Sequence, residues 1–213
     1  GARAGTAVHP YDARILPGNA ELSKLAEAFG SEIQGFRLRP DLLAEDREKY
    51  GYFGGVRTGG IVFLRSDDGD RPHLAVLGHE LGHELASKRP DLYNQLVAAI
   101  RPYVNQAKYP EFLKSVVARD VEGADKKQEE FIGEVLSDGF MDPDFWRSLG
   151  RKNQSLLEYV GNAIFDLIEK ALKAVGYTKR SAPYLTDYKA VMRIAGEIMA
   201  EFPLDPQPVS YTH

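Results

Sequence analysis

The residues in this chain best suited to chemistry stand together in Gly78-His79-Glu80-Leu81-Gly82-His83, where two imidazoles and a carboxylate have the spacing H-E-x-x-H. Residues four apart on an α-helix share a face, so His79 and His83 can aim two ring nitrogens at one point. A zinc ion held there sits about 2.0–2.1 Å from each nitrogen. Glu80 is turned about 100° further round the helix. That takes it out of position as a ligand but leaves it in reach of a water held by the ion. The chemistry implied is metal-assisted hydrolysis with Glu80 as general base. The competing reading is a coincidental pair of histidines on a solvated helix face. It fits less well, because both histidines border the helix's apolar stripe rather than oppose it.

Two histidines and a water leave such a site one protein ligand short, and two His with one Glu is an established set. A second stretch, Phe131-Ile132-Gly133-Glu134-Val135-Leu136-Ser137-Asp138, supplies carboxylates on what should be an inward face. Phe131, Glu134, Val135 and Asp138 occupy the 0, 3, 4 and 7 positions of a helical stripe. A plain amphipathic helix would place leucines at two of them. Burying a carboxylate without compensation is costly, and a metal with its histidines offsets that cost. Glu134 is therefore read as the third ligand, and Asp138 as an acceptor for the ring N–H of a metal-bound histidine. Glu129 and Glu130 are the alternatives for the third ligand, with Asp120 and Glu122 behind them.

At these two stretches the chain resembles the zincin metallopeptidases with a glutamate third ligand (gluzincins). Glu134-Val135-Leu136-Ser137-Asp138 looks like the Glu-x-x-Ser-Asp element of the thermolysin-like group. The resemblance implies that His79, His83 and Glu134 bind one zinc ion per chain, that Glu80 is the base and that Asp138 holds His79. It covers two helices only. Gly133 stands where the thermolysin pattern has Asn, and residues 84 to 133 form a longer spacer than thermolysin's. The run Leu74 to His83, after a short hydrophobic strand, is also similar to zincin domains of phage polyvalent proteins and bacterial effector toxins. Gluzincins further supply a Tyr, His or Arg that stabilises the oxyanion. The downstream candidates are Tyr103, Tyr109, Tyr159, Tyr184, Tyr188, Arg180 and His213, with Tyr184 and Tyr188 preferred because they flank a helix start.

The elements that must position these groups can be read from periodicity. Leu74, Leu77, Leu81 and Leu85 give the apolar stripe of a helix from about Pro72 to Lys88, which stops before Pro90. Asp70 is a candidate cap, and the second metal helix runs from about Asp125 to Phe140. His73 faces away from His79 and is expected at the surface, as is His9. Upstream, Asn19 to Phe29 reads as a short helix closed by Gly30, and Phe36 to Arg39 as an edge strand. Tyr50 to Arg65 reads as a hairpin broken at Thr58-Gly59-Gly60. The strand Ile61 to Leu64 would border the cleft, with an open edge for an extended peptide. Residues 41–50 read as a brief helix or loop, and residues 66–71 as a solvated turn. Downstream the chain reads as helical over Asp91–Val104, Glu111–Val121, Gln154–Val175 and Tyr184–Phe202. A short turn or helix at Asp142 to Trp146 carries the sole Trp as a core anchor.

The expected fold class is thus α+β and mainly helical. It is zincin-like, with a small N-terminal antiparallel sheet or hairpin, an active-site helix and a helical C-terminal half. Residues 1–18 are expected as an extended arm and 19–213 as one domain, with sheet and metal helices to 140 and a helical subdomain from 141.

With 213 residues, 43% apolar and 27% charged, the chain can bury a core without covalent staples. It has no Cys, so neither disulfides nor a Cys-ligated zinc is available. A net charge of −4 and a pI near 5.8 offer no bulk basic surface to nucleic acid or an anionic membrane. No apolar run is long enough for a transmembrane helix. The chain begins Gly1-Ala2-Arg3 and is expected to be a processed or excised piece of a longer protein. The expected activity is a zinc-dependent endopeptidase acting on a polypeptide. The alternative is an inactive zincin-fold module with a structural metal that binds protein or DNA, and a zinc hydrolase of some other amide is a third option.

Overall fold

Helical periodicity dominates the second half of the chain, and helix dominates the structure. The computed structural model describes residues 11–14, 20–30, 32–38, 55–58, 61–65, 72–106, 114, 126–176, 178 and 181–203. Within these, the helices are α1 (Ala20–Ala28), α2 (Pro72–Lys88), α3 (Pro90–Gln106), α4 (Lys126–Gly139), α5 (Pro143–Lys152), α6 (Gln154–Val175) and α7 (Ala182–Glu201). The strands are β1 (Tyr11–Arg14), β2 (Glu32–Leu38), β3 (Gly55–Thr58) and β4 (Ile61–Arg65). No described helix is long and apolar enough to cross a membrane.

The strands pair in the order β1-β2-β4-β3. β3 and β4 form the expected hairpin, with Thr58 opposite Ile61 across Gly59-Gly60. Two expectations are corrected. The sheet is mixed rather than antiparallel, because β2 pairs parallel to β4, with Ile33 opposite Val62. β4 is also bonded on both sides, so among the described strands the ends of the sheet are β1 and β3 and not the Ile61–Leu64 strand. Likewise β2 is internal rather than an edge strand, since β1, drawn from the N-terminal stretch, pairs antiparallel along its outer side.

Helix boundaries follow local chemistry. α1 ends at Gly30, whose φ of 66° lies in the left-handed region open to glycine. α5 starts where the Asp142 side chain accepts from the Asp144 N–H at 2.9 Å, ahead of Pro143 in the first turn. Asn153 caps α6 in the same way, through Ser155 N–H. One apolar core gathers Leu74, Leu77, Leu81 and Leu85 of α2 with Leu96 and Ile100 of α3, Val135 and Leu136 of α4, and Ile164 and Ile168 of α6. Trp146 anchors it as expected. The Trp146 ring is fully buried, donates from Nε1 to the Phe140 carbonyl at 3.0 Å, and stacks on the Phe140 ring.

The expectations for residues 41–50, for the turn over 66–71 and for His9 fall outside the described residues. So does the expected helix over 111–121, except for Lys114.

Candidate metal centre

α2 and α4 meet where side chains are smallest. A Cβ added at Gly78 would lie 2.5 Å from the Gly133 carbonyl oxygen and 2.3 Å from Ser137 Oγ, so backbone packs on backbone here. Gly82, one turn on, faces the same helix at ordinary contact distance, with Leu136 Cδ1 3.7 Å from its added Cβ. Ser137 ties the crossing together: its hydroxyl lies 2.8 Å from the Gly133 carbonyl of its own helix and 3.3 Å from the Leu74 carbonyl of α2. The signal was present in the sequence as Gly-x-x-x-Gly on one helix and Gly-x-x-x-Ser on the other.

This close crossing brings His79 and Glu134 face to face. Both are almost fully buried, and His79 Nε2 stands 3.9 Å from Glu134 Oε1. That separation is longer than a hydrogen bond. Two donors sharing a tetrahedral zinc at ordinary bond lengths lie about 3.3 Å apart, so a shift of a few tenths of an ångström accommodates the ion. The chemistry of the pair, an imidazole and a carboxyl group, suits zinc.

The other proposed site residues are placed less uniformly. Glu80 is half-buried, while His83 and Asp138 are exposed. Among the described residues no group of three or more His, Asp or Glu side chains is gathered closely enough to hold an ion. The structure thus brings together two of the three expected donors, and His83 lies one turn further along α2 at the surface. Glu129 is half-buried in the first turn of α4; the Glu130 side chain, Asp120 and Glu122 lie outside the described residues. A separate cleft of about 410 Å³ between the end of α2 and the middle of α6 is lined by Glu84, Lys88, Tyr159, Asn162, Asp166 and Lys170, among others, and includes none of His79, Glu80, His83, Glu134 and Asp138.

His73 departs from expectation. It is buried rather than at the surface, with its Nε2 2.7 Å from Asp187 Oδ2. Its ring stacks on Tyr184 at 4.4 Å between centroids and meets Tyr188 edge-on at 5.4 Å. The helical phase was right that His73 points away from His79; that direction leads into the packing between α2 and α7 instead of into solvent. No local pattern could have signalled a partner so distant in sequence.

Tyr184 and Tyr188 therefore stand with His73. Tyr188 has no exposed surface, so its hydroxyl meets no substrate in this arrangement, whereas Tyr184 is half-buried. Burial pushes the Tyr188 hydroxyl well above its ordinary pKa, with the neighbouring Tyr184 and Asp187 adding to the shift. Of the other oxyanion candidates, the Tyr103 hydroxyl donates to Asp142 Oδ2 at 3.0 Å, and the Tyr159 ring lies under the Arg89 guanidinium. Tyr109, Arg180 and His213 lie outside the described residues.

Comparison with protein-family models, with curated proteins and with solved structures finds no match to this chain.

Proposed function

We propose that the chain is a zinc-dependent endopeptidase with a zincin-like fold, in which His79, His83 and Glu134 hold one zinc ion. The observation that carries this reading is the buried approach of His79 and Glu134 from separate helices, at a separation suited to a shared ion. The H-E-x-x-H spacing on a continuous helix supports it further. Zinc would supply a Lewis acid for the scissile carbonyl and lower the pKa of water.

The chain's own residues do the rest. The Glu80 carboxylate accepts the proton of the attacking water and delivers it to the departing amide nitrogen. Half-burial suits that task, because the group keeps access to substrate while part of its water shell is removed. Asp138 steadies the His79 ring. Tyr184 and Tyr188 pack on His73, on the side of α2 turned away from His79, and so are not assigned the oxyanion.

The exposure of His83 favours a second reading, an inactive module whose metal is structural and which acts by binding a protein or DNA. The Glu80→Gln variant separates the two. The peptidase reading expects zinc to be retained and cleavage of an unfolded protein such as casein to fall by about 100- to 10,000-fold. Undiminished cleavage would remove Glu80 as base. Zinc in the wild-type chain without any cleavage would select the second reading.

A further inference from the structure

Helix α4 carries glycine at position 133, immediately before the proposed ligand Glu134, and the reason lies across the interface. A Cβ added there would stand 2.8 Å from Nδ1 of His79, 3.2 Å from its Cε1 and 3.3 Å from its Cγ. The imidazole therefore rests directly on the bare backbone of residue 133. Its Nδ1 edge lies against this glycine while Nε2 is directed at Glu134, the very next residue. Seat and partner come from consecutive residues of one helical turn.

The neighbouring glycines differ. An added Cβ at Gly82 meets only ordinary contacts, and one at Gly139 would strike the Phe145 ring at 2.4 Å, with no His79 atom among its nearest contacts. Of the glycines on the two crossing helices, Gly133 is the one whose added Cβ would meet the His79 ring.

We propose that Gly133 is a positioning residue for His79: its missing side chain makes the seat that fixes the imidazole with Nε2 toward Glu134, so that Nε2 is the nitrogen that takes the metal. This rests on the zinc reading above. A methyl group at 133 forces the ring or the helix to move. Ring and carboxylate then lose their shared aim even if the fold survives. Groups that orient a ligand without touching the metal are typically worth about 10- to 100-fold in metal affinity.

The test compares zinc affinity, by competition with a chelating dye, and metal-free thermal midpoint in the full chain. Four proteins are measured: wild type, Gly133→Ala, Gly139→Ala and Gly82→Ala. Gly133→Ala should bind zinc about 10- to 100-fold more weakly. Gly139→Ala should lower the thermal midpoint while zinc affinity stays within about threefold of wild type, and Gly82→Ala should leave both nearly unchanged. Wild-type zinc affinity in a destabilised Gly133→Ala would reduce the glycine to a packing residue and overturn the proposal, leaving the zinc reading intact. A wild-type chain that binds no zinc removes both. Should Gly133→Ala fail to fold, the imidazole ¹⁵N shifts of the wild-type chain decide. Zinc addition moving His79 Nε2, with Nδ1 protonated, supports the proposal, and zinc on Nδ1 overturns it.

Discussion

His73 and His79 lie on the same helix, six residues apart and both almost wholly buried, yet the two environments are built differently. His73 is closed. Its Nε2 sits at 2.7 Å from Asp187, a direct charge-assisted hydrogen-bond distance, and tyrosine rings cover one face and one edge. His79 meets its acid differently. It rests on a glycine, faces a buried carboxylate, and stands from it at 3.9 Å, too far for a hydrogen bond. A buried histidine with its acid at contact distance is a structural fastening, here joining α2 to α7. A buried histidine at 3.9 Å from a buried acid, over a bare backbone, is the pair on which the proposed zinc reading rests. The first pair is joined by a direct contact, and the second approaches without one.

The largest test of that contrast exchanges the two histidines' roles. His79→Ala should weaken zinc binding on the order of a thousandfold, since a ligand is lost outright, whereas His73→Ala should leave zinc affinity within about threefold. Dye-competition titration of both variants measures it. Equal losses would erase the distinction between the two sites.

A smaller effect is expected when the acids are neutralised and stability is read in the metal-free chain. Asp187→Asn takes the charge from a 2.7 Å contact and should cost about 1–3 kcal/mol. Glu134→Gln removes a charge 3.9 Å from His79 Nε2, beyond hydrogen-bond reach, and should cost less than Asp187→Asn. Urea melts of the two variants make the comparison. A larger loss at Glu134 than at Asp187 would mean that the α2–α4 pair is the fastening.

The smallest effect concerns Tyr188, whose buried hydroxyl has no hydrogen-bond partner among the described residues. Tyr188→Phe should therefore change stability by no more than about 0.5 kcal/mol, in either direction. Because burial raises its pKa above the ordinary 10.0, the neutral phenol is favoured in the fold. Its contribution is complete below that pH and is lost as pH rises through the folded value. The wild-type chain should lose stability in strong alkali more steeply than Tyr188→Phe, as thermal melts across that range would record.

Much of this architecture was readable from periodicity. The span of α2 from Pro72 to Lys88 followed from four leucines and two prolines, and α6 from its apolar stripe and the glycine that ends it. His79 and Glu134 were legible as partners because a carboxylate on an inward helical face demands a reason. The burial of His73 is not legible locally, because its partner is remote. Asp187 lies 114 residues away, and helical phase gives a direction without saying what stands there. Gly133 looked like a departure from a pattern, and only the α2–α4 crossing shows it making room for an imidazole. The order of the strands was equally hidden, since a chain segment rich in β-formers does not state on which side its neighbours will pair.

The central claim, that His79 and Glu134 share a zinc ion, is tested most directly by elemental analysis of the purified chain alongside Glu134→Gln, both loaded with zinc and then dialysed. The account predicts zinc at one equivalent in the wild type and a large loss in the variant, with the fold of both intact by circular dichroism. Equal zinc in the two proteins, or none in the wild type, would contradict it.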